Sequence, residues 1–306
     1  MAKKVLVTGS NGLLGQKLVQ LLLTDSDYQL IATARGANRL PENKNYTYVS
    51  MDITNEGEVA KTIAEHKPDF IIHTAAMTNV DQCETEREAC WKQNVDAVKY
   101  LVEAAEKNNA FLIHLSTDFI FDGKEGPYTE KAKGAPLSYY GDSKLAAEEI
   151  VFASNIKWAI ARTVLVYGIA HDMSRSNIIL WVKKSLEDGK NINVVDDQFR
   201  SPTLAEDLAM GCYLIMKREA TGIFNISGKD FLTPYEMAIK TADFFKLDKS
   251  LITKTDSSKF KQPAVRPLRT GFVIDKAVNQ LGYAPHSFEE GIKLLAEQVL
   301  SASAAK

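Results

Sequence analysis

Short apolar runs alternate with amphipathic segments along the first two-thirds of the chain. The runs are rich in Val, Ile, Leu or Phe and have the length of buried strands, while the segments between them repeat their apolar positions with helical spacing. The predicted strands are Lys4–Thr8, Gln29–Thr33, Thr47–Ser50, Asp69–His73, Phe111–Ser116 and Trp158–Thr163, and the predicted helices are Leu13–Leu23, Glu56–Glu65, Cys90–Lys107 and Ser143–Ser154. Such alternation builds a parallel sheet covered by helices on both faces, and right-handed crossovers make it doubly wound. The pattern therefore predicts an α/β fold.

The pattern becomes less regular after about residue 168. The predicted elements there are a helix Ser176–Asp188, a strand Ile192–Val195, a helix Leu204–Lys217, a strand Ile223–Ile226, and helices Pro234–Phe245 and Ser287–Leu300. The segment Thr255–Thr270 has mixed charge and two prolines, which predicts an ordered loop or a flap. We expect one domain over residues 1–168, with some later segments returning to it, and a smaller, discontinuous lobe over residues 169–306.

Composition and charge exclude several classes of protein. The 306 residues include 45% hydrophobic and 25% charged side chains, and 37 basic against 39 acidic residues leave a net charge of −2. These values suit an ordinary globular protein and give no support to binding of nucleic acid or a membrane surface. The N-terminus leads directly into a strand, and no apolar run approaches the roughly 20 residues of a membrane span, so a cytoplasmic protein is expected.

The cysteines and histidines give no metal signature. Cys83, Cys90 and Cys212 are odd in number and have no CxxC spacing, so we expect reduced thiols rather than disulfides or a zinc site. His73 and His114 lie within predicted strands, which favours core residues with satisfied hydrogen bonds. No metal is therefore predicted.

The glycines after the first strand indicate a dinucleotide. Gly9, Gly12 and Gly15 recur at three-residue spacing between a strand and a Leu-rich helix, with Ser10, Asn11 and Leu13 among them. Gly9 would allow the turn, Gly12 the close approach of a pyrophosphate, and Gly15 the tight packing of helix on strand. The helix N-terminus offers free N–H groups and a partial positive charge to that pyrophosphate. The strand–loop–helix context predicts a Rossmann-type NAD(P)-binding domain.

The end of the second strand indicates which dinucleotide is bound. An NAD-selective site places an acidic residue here to bind both ribose hydroxyls. This chain has Arg35, with Arg39 four residues later. A guanidinium suits a 2′-phosphate because it can form bidentate hydrogen bonds, so NADP(H) is preferred and NAD(H) is kept as a possibility. Ala75 and Ala76 end another buried strand, where small side chains let backbone lie against a flat cofactor.

A Tyr and a Lys four residues apart suggest the chemistry. Tyr140 and Lys144 would share one face of a helix, where a cation lowers the pKa of the phenol and eases proton exchange with a carbonyl oxygen. Thr117, at the end of a strand upstream, could donate a hydrogen bond to that oxygen. Tyr213 and Lys217 repeat the spacing, but their segment is better interpreted as an amphipathic core helix.

The motifs together resemble a known family. The GxxGxxG loop, with Thr8 before it and Leu14 inside it, is similar to that of extended short-chain dehydrogenases/reductases. Further segments resemble dTDP-4-dehydrorhamnose reductases: Ser116–Gly123 their STDYVFDG, Met77–Asp81 with Asn94 their TxVD and downstream Asn, Asp196–Thr203 their DQxGxPT, and Arg266-Pro267 their RP. The resemblance spans nearly the whole chain.

The resemblance implies a reaction and a set of site residues. The reaction would be reduction of the 4-keto group of a dTDP-linked deoxysugar with NADPH, in which Tyr140 acts as the acid. The catalytic residues would be Thr117, Tyr140 and Lys144; the cofactor would be held by Gly9, Ser10, Asn11, Gly12, Leu13, Gly15, Arg35, Asp52, Ile53, Ala75, Ala76, Thr78, Asn94, Ser116, Tyr140, Lys144 and Thr163; and the substrate would contact Thr117, Asp118, Phe119, Arg200 and Arg266. Arg200 and Arg266 are candidates for the substrate diphosphate on charge alone. The later lobe would be the main substrate-binding lobe, and a homodimer is a possible assembly.

Departures from the family pattern keep alternatives open. Phe119 replaces a Tyr, Arg200 stands where the family often has Gly, and Arg269 stands where it has Asn. The stretch from Arg200 also resembles the regulatory β subunit of methionine adenosyltransferase, which binds NADP as a partner protein. A dehydratase would need Glu after Asp118, where this chain has Phe119, whereas a nucleotide-sugar 4-epimerase is opposed only by Arg35.

Overall fold

A seven-stranded parallel sheet forms the centre of the molecule. The computed structural model describes residues 2–40, 45–171 and 177–304. The strands of this sheet are β1 (Lys3–Thr8), β2 (Tyr28–Ala34), β3 (Tyr46–Ser50), β4 (Phe70–His73), β5 (Phe111–Thr117), β6 (Trp158–Thr163) and, later in the chain, β10 (Gly222–Asn225). Their spatial order is β10-β6-β5-β4-β1-β2-β3, and every neighbouring pair is parallel. The order reverses between β1 and β4, where doubly wound sheets bind their ligands. The predicted fold class is confirmed.

Alternation along the strands assigns side chains to the two faces of the sheet. Val5 and Val7 pack into one core and Leu6 into the other. The helices that cover these faces are α1 (Leu13–Leu22) with α8 (Ala205–Lys217) on one side, and α2 (Glu56–His66), α5 (Ala97–Asn108) and α6 (Tyr139–Phe152) on the other. Because both faces are buried, the strands are almost continuously apolar. Helix α8 comes from the second half of the chain, yet it packs on α1 in the first core.

The remaining elements form short helices beside the site and a smaller unit next to the sheet. The helices are α3 (Val80–Thr85), α4 (Arg87–Trp91), α7 (Ile178–Glu187), α9 (Pro234–Phe245), α10 (Asp275–Leu281) and α11 (Phe288–Ala304). The short strands are β7 (Val166–Tyr167) paired with β9 (Thr203–Leu204), and β8 (Ile192–Val195) paired with β11 (Ile252–Thr255). Helices α7 and α9 share an apolar cluster with β8 and β11.

The structure corrects several predicted boundaries. The six predicted strands of the first part are all present, within one or two residues. The predicted helix Cys90–Lys107 is interrupted by a π-helical turn at Lys92–Asp96, and α6 begins four residues before the predicted Ser143. The predicted start of α7 at Ser176 lies outside the described residues. Thr255–Thr270 contains a 3-10 turn at Ser257–Lys259, and the prediction missed α3, α10 and β11. The division into domains at residue 168 stays a prediction.

Candidate functional site

The glycine loop lies at the carboxyl end of β1, with the geometry that its glycines predict. Gly9 has a φ of +67°, which L side chains rarely adopt. A Cβ at Gly15 would overlap the carbonyl oxygen of Gly9, so only glycine lets α1 pack this closely on the loop. Gly12 is exposed and is the N-cap of α1, without a side-chain cap. The residues therefore fit a phosphate group at this helix terminus.

The loop after β2 is held in place by Asn11. The amide of Asn11 donates to the carbonyl of Ala37 at 2.9 Å, and its oxygen accepts from the Arg39 N–H at 2.9 Å. Asn11 thus acts on the loop that carries Arg35 and Arg39, a role that the sequence did not reveal. Both arginines are exposed, and neither forms an ion pair with a carboxylate of the described chain. Their guanidinium groups are available to an anion.

The other predicted cofactor residues lie at the same edge of the sheet. Parallel strands end on one side, so residues that follow β3 and β4 come next to the glycine loop. Asp52 and Ile53 follow β3, and the Asp52 carboxylate accepts two hydrogen bonds from Thr54. Burial raises the pKa of Asp52, but these bonds outweigh burial and bring it below its ordinary value. Ala75 and Ala76 are half-buried after β4.

The structure also brings Thr78, Ser10, Ser116 and Thr163 to this edge. Thr78 is exposed in the loop after β4. The hydroxyls of Ser10 and Ser116 are buried and have no hydrogen-bond partner within the described part of the chain. Buried hydroxyls without partners are rare; Ser10 follows β1 and Ser116 stands near the end of β5, so both lie at the carboxyl edge of the sheet, which fits an edge that receives a polar ligand. The Thr163 hydroxyl bonds instead to Thr203, at 3.4 Å.

Helix α6 is placed by a cap and by a glycine. Ser138 caps its N-terminus and accepts a hydrogen bond from the Gly141 N–H at 3.2 Å. A Cβ at Gly141 would overlap the carbonyl oxygen of Phe119, so glycine lets the first turn lie against the segment after β5. The ring of Phe119 meets that of Tyr140 edge to face, with centroids 5.7 Å apart. Tyr140 is thereby held beside Thr117 and Asp118.

The phenol of Tyr140 differs from the sequence-based expectation. Burial raises its pKa, and the hydroxyl of Thr117 only partly opposes that shift. The expected net lowering of this pKa is wrong for the structure, because burial outweighs the contacts that oppose it; Lys144 Nζ donates to His114 Nε2, at 3.2 Å. Desolvation lowers the pKa of Lys144 to about 8. The phenol is protonated at neutral pH, as an ordinary tyrosine is, and so it has a proton to donate.

Asn94 lies in the π-helical turn and holds two segments of the site together. Turns of this kind often mark functional sites. Its side-chain oxygen accepts from the Met77 N–H at 2.8 Å, and its amide donates to the Met77 carbonyl at 3.1 Å and to the Ser143 hydroxyl at 3.0 Å. Ser143 donates in turn to the Tyr140 carbonyl at 2.8 Å. These partners use the amide group of Asn94, so it links α6 to the loop after β4. Its predicted contact with cofactor stays a prediction.

The two arginines proposed for a diphosphate are engaged with the protein. Arg200 is only 6% exposed, and its guanidinium donates to the carbonyls of Phe199, Leu268 and Pro267. Its Nε lies 3.6 Å from an Asp118 carboxylate oxygen. These partners correct the picture of Arg200 as a free cation chosen on charge alone.

Arg266 and Asp118 also connect the segment after β11 to the rest of the site. Arg266 pairs with Asp81 on α3 at 2.8 Å, which fastens the segment after β11 to that helix. Asp118 accepts hydrogen bonds from Thr117 and Thr270. Burial raises the pKa of Asp118, although the Arg200 guanidinium opposes the shift. Asp118 is thus a buried link between β5 and the segment after β11.

A cleft of about 450 Å³ opens beside β8. It is lined by Asn177, Ile178, Trp181, Asn193, Val194, Val195, Pro234, Phe260 and Gln262. The cleft is shallow and mostly apolar, and none of these lining residues is among the predicted site residues. The chain runs from β8 directly into Arg200 and so toward Asp118. Sequence reasoning missed this cleft, because its lining comes from four separate segments.

The second Tyr–Lys pair lies elsewhere, as predicted, on α8. Lys217 donates to the Tyr213 hydroxyl at 2.8 Å, and Tyr213 donates to Asp25 at 2.5 Å. Asp25 belongs to the turn between α1 and β2, remote in sequence from every catalytic candidate. The spacing alone therefore does not identify the active site.

The described residues show three further features. None of their helices is both long enough and apolar enough to cross a bilayer. Their His, Cys, Asp and Glu side chains form no group that could hold a metal ion. All three cysteines are buried free thiols.

The fold, the glycine loop and the placement of Tyr140 and Lys144 define an extended short-chain dehydrogenase/reductase. The chain belongs to the family described as RmlD substrate binding domain, whose model matches residues 3–301. It is similar to dTDP-4-dehydrorhamnose reductase of Aggregatibacter actinomycetemcomitans, at 30% identity over 95% of this chain and 97% of that protein. It is also similar to methionine adenosyltransferase 2 subunit beta of Pongo abelii, at 32% identity over 81% of this chain and 74% of that protein.

A solved structure leads to the same family. The chain resembles dTDP-4-dehydrorhamnose reductase from Bacillus anthracis str. Ames in complex with NADP, with a TM-score of 0.83, 27% identity, and coverage of 97% of this chain and 100% of that one. The predicted family is confirmed. The predicted oxidoreductase class and NADP(H) cofactor agree with these relatives.

Proposed function

We propose that the chain reduces the 4-keto group of a nucleotide-linked deoxysugar of the dTDP-4-dehydrorhamnose kind, using NADPH. The observation that carries the proposal is the buried, protonated phenol of Tyr140, held beside Thr117 at the sheet edge where the glycine loop opens. Membership of a family that contains dTDP-4-dehydrorhamnose reductases supports the substrate class.

The residues at the sheet edge fit NADPH. Gly9, Gly12 and the N-terminus of α1 would hold its pyrophosphate, and Arg35 would bind its 2′-phosphate. Asp52 and Ile53 would contact the adenine. The small side chains of Ala75 and Ala76 would let the protein backbone lie against the cofactor. When bound, NADPH supplies the hydride that reduces the carbonyl carbon.

Three side chains would act on the carbonyl oxygen of the substrate. Tyr140 donates its phenolic proton to that oxygen; the phenol carries this proton at neutral pH, both at the ordinary pKa of a tyrosine and at the higher pKa that burial gives Tyr140. Thr117 donates a hydrogen bond to the same oxygen and orients it. The ammonium of Lys144 stabilises the negative charge left on the phenol oxygen after the proton has gone.

The nucleotide part of the substrate would lie toward the cleft beside β8. Its apolar walls suit a base, and the side-chain amides of Asn193 and Gln262 offer donors and acceptors. Arg200 would act indirectly, by fixing Asp118 and the carbonyls of Pro267 and Leu268. Arg266 would keep the segment after β11 in place through Asp81.

A second candidate function is a binding subunit without turnover. The similarity to methionine adenosyltransferase 2 subunit beta over 81% of this chain favours it. The presence of Thr117, Tyr140 and Lys144 together favours an enzyme, because a subunit that only binds NADP has no need of a phenol positioned to donate a proton.

The test compares two Tyr→Phe variants with the same chemistry. NADPH absorbance is followed with a panel of 4-keto nucleotide sugars, for wild type, Tyr140→Phe and Tyr213→Phe. Loss of the general acid should lower kcat for Tyr140→Phe by about 10²–10⁴-fold and leave NADPH affinity nearly intact. Tyr213→Phe controls for loss of a hydroxyl from a Tyr–Lys pair and should remain active.

Two results would contradict the proposal in different ways. Full activity of Tyr140→Phe would remove the assigned acid. A wild-type protein that binds NADPH tightly but consumes it with no 4-keto nucleotide sugar would point to the binding subunit.

A further inference from the structure

A row of polar side chains crosses the central strands of the sheet beneath the site. Thr8, His73 and His114 stand side by side on β1, β4 and β5, since Thr8 is in register with His73 and His73 with His114. All three are buried. The Thr8 hydroxyl and His73 Nδ1 are 2.7 Å apart, and the two imidazole rings are stacked with centroids 5.5 Å apart. Lys144 ends the row, with Nζ 3.2 Å from His114 Nε2.

The hydrogen bonds around Thr8 assign the tautomer of His73. The Thr8 hydroxyl oxygen accepts from the backbone N–H groups of Thr74 and Ala75, at 3.2 and 3.4 Å. With both lone pairs used, its O–H donates to His73 Nδ1. Burial lowers the pKa of His73 to about 3, so the ring is neutral and carries its proton on Nε2.

The ammonium of Lys144 assigns the tautomer of His114. An ammonium only donates, so His114 Nε2 accepts and the proton of the ring is on Nδ1. Burial lowers the pKa of His114, which keeps the ring neutral. Nδ1 has no hydrogen-bond partner in the described ranges. A buried donor without an acceptor is unfavourable. The tautomer that leaves Nδ1–H without a partner is the one that lets Nε2 accept from Lys144.

The other charged and titratable groups around Lys144 leave its Nζ to His114. Glu148, one turn further along α6, is paired with Arg162 through two short hydrogen bonds. The charge of Glu148 and the Cys90 thiol on α4 raise the pKa of Lys144, and the neutral ring of His73 on β4 is a further titratable group near this lysine. None of them forms a hydrogen bond or ion pair with Nζ in the described structure, and His114 does.

We propose that His114 is a positioning residue for the reaction: its Nε2 holds the ammonium of Lys144 in the charged form and in the place that Tyr140 requires. The catalytic consequence of this inference rests on the proposed function, whereas the effect of His114 on the protonation of Lys144 does not. Without His114 Nε2 as an acceptor, the buried side chain of Lys144 loses a hydrogen bond. This loss destabilises the ammonium form more than the neutral amine. The lysine then loses its proton at lower pH.

The experiment measures Lys144 directly, without substrate. The 13Cε resonances of lysine-labelled full-length protein are titrated, and that of Lys144 is assigned by its absence from Lys144→Met. His114→Leu and His114→Asn should both lower the midpoint by about one pH unit, a tenfold change in the dissociation constant. The Asn variant keeps a polar group but its oxygen falls near Nδ1. His114→Gln places an oxygen near Nε2 and should restore the midpoint.

Kinetics supply the second readout and His286→Gln the control. His286 pairs with Asp207 on α8, at 2.7 Å. The basic limb of kcat against pH should move to lower pH in His114→Leu and His114→Asn, but not in His114→Gln or His286→Gln. A merely structural role of His114 would lower activity equally at every pH.

The outcomes separate this inference from the proposed function. Wild-type midpoints for Lys144 in both His114→Leu and His114→Asn would overturn the inference, whatever the activity. If no nucleotide sugar is turned over by the wild type while the NMR midpoints shift as expected, the proposed function fails and the hold of His114 on Lys144 stands. His114→Asn keeps the test decisive if His114→Leu does not fold.

Discussion

Replacing Lys144 with methionine should stabilise the cofactor-free protein at neutral pH, and the gain should shrink as the pH rises. Lys144 is 3% exposed, and desolvation lowers its pKa from 10.5 to about 8. Between these values the unfolded chain keeps a proton that the folded protein has released. Wild-type stability therefore increases with pH over this window. Methionine has a stem of similar length and no charge, so its stability lacks this dependence.

The magnitude follows from the two pKa values. Their difference of about 2.5 corresponds to about 3 kcal/mol of wild-type stability that is absent below the folded-state pKa. Nearly all of that deficit is present at about pH 7, and linkage returns about 2 kcal/mol of it by about pH 9.5. The advantage of Lys144→Met over wild type should fall by the same amount.

Urea unfolding of both proteins at several pH values measures this difference. Lys217→Met is the control, because Lys217 is exposed and its hydrogen bond with Tyr213 raises its pKa. Its ammonium stays charged in the folded protein across the window, so the difference between Lys217→Met and wild type should stay flat. A difference between Lys144→Met and wild type that does not change with pH would refute the assigned burial of charge at position 144.

Two further predictions concern the ion pair behind α6 and the choice of cofactor. Glu148→Ala should lower the free energy of unfolding, measured in urea, by about 3–5 kcal/mol, because it leaves the buried Arg162 guanidinium unpaired. Adding Arg162→Met should restore most of this loss. Equal losses in the single and double variants would count against this reason. Arg35→Ser should raise the Kd for NADPH about 10–100-fold, the effect of a charged hydrogen bond to phosphate, and leave the Kd for NADH nearly unchanged, as fluorescence titration would show. Equal weakening of both cofactors would mean that Arg35 does not contact the 2′-phosphate.

Local patterns were sufficient for the sheet and the glycine loop. The run Val5-Leu6-Val7 is buried on both faces, so its continuous apolar character identified a strand without knowledge of its neighbours. Gly9 and Gly15 were identified by spacing, because a turn and a close helix contact depend on residues that are near in sequence. The start of α6 had a local signal too, since Ser138 stands three residues before Gly141, but the prediction began at Ser143.

The parts that sequence reasoning missed depend on contacts across the fold. His114 was expected to be satisfied in the core, and its Nδ1 is not, because strand register places it beside His73 and below Lys144. Arg200 looked like a free cation, yet carbonyls more than sixty residues away in sequence occupy its guanidinium. The lowered phenol pKa followed from spacing alone, whereas burial of Tyr140 decides its actual direction.

The packing of α8 on α1 has a consequence for how the gene can be divided. Leu208, Cys212 and Ile215 cover the face of the sheet that Val5 and Val7 present. A polypeptide ending at residue 168 would keep α1 but lose α8, so the part of that face under α8 would be exposed to water. A split form of this protein must therefore keep its first strands and α8 in one particle, because they complete a single apolar core.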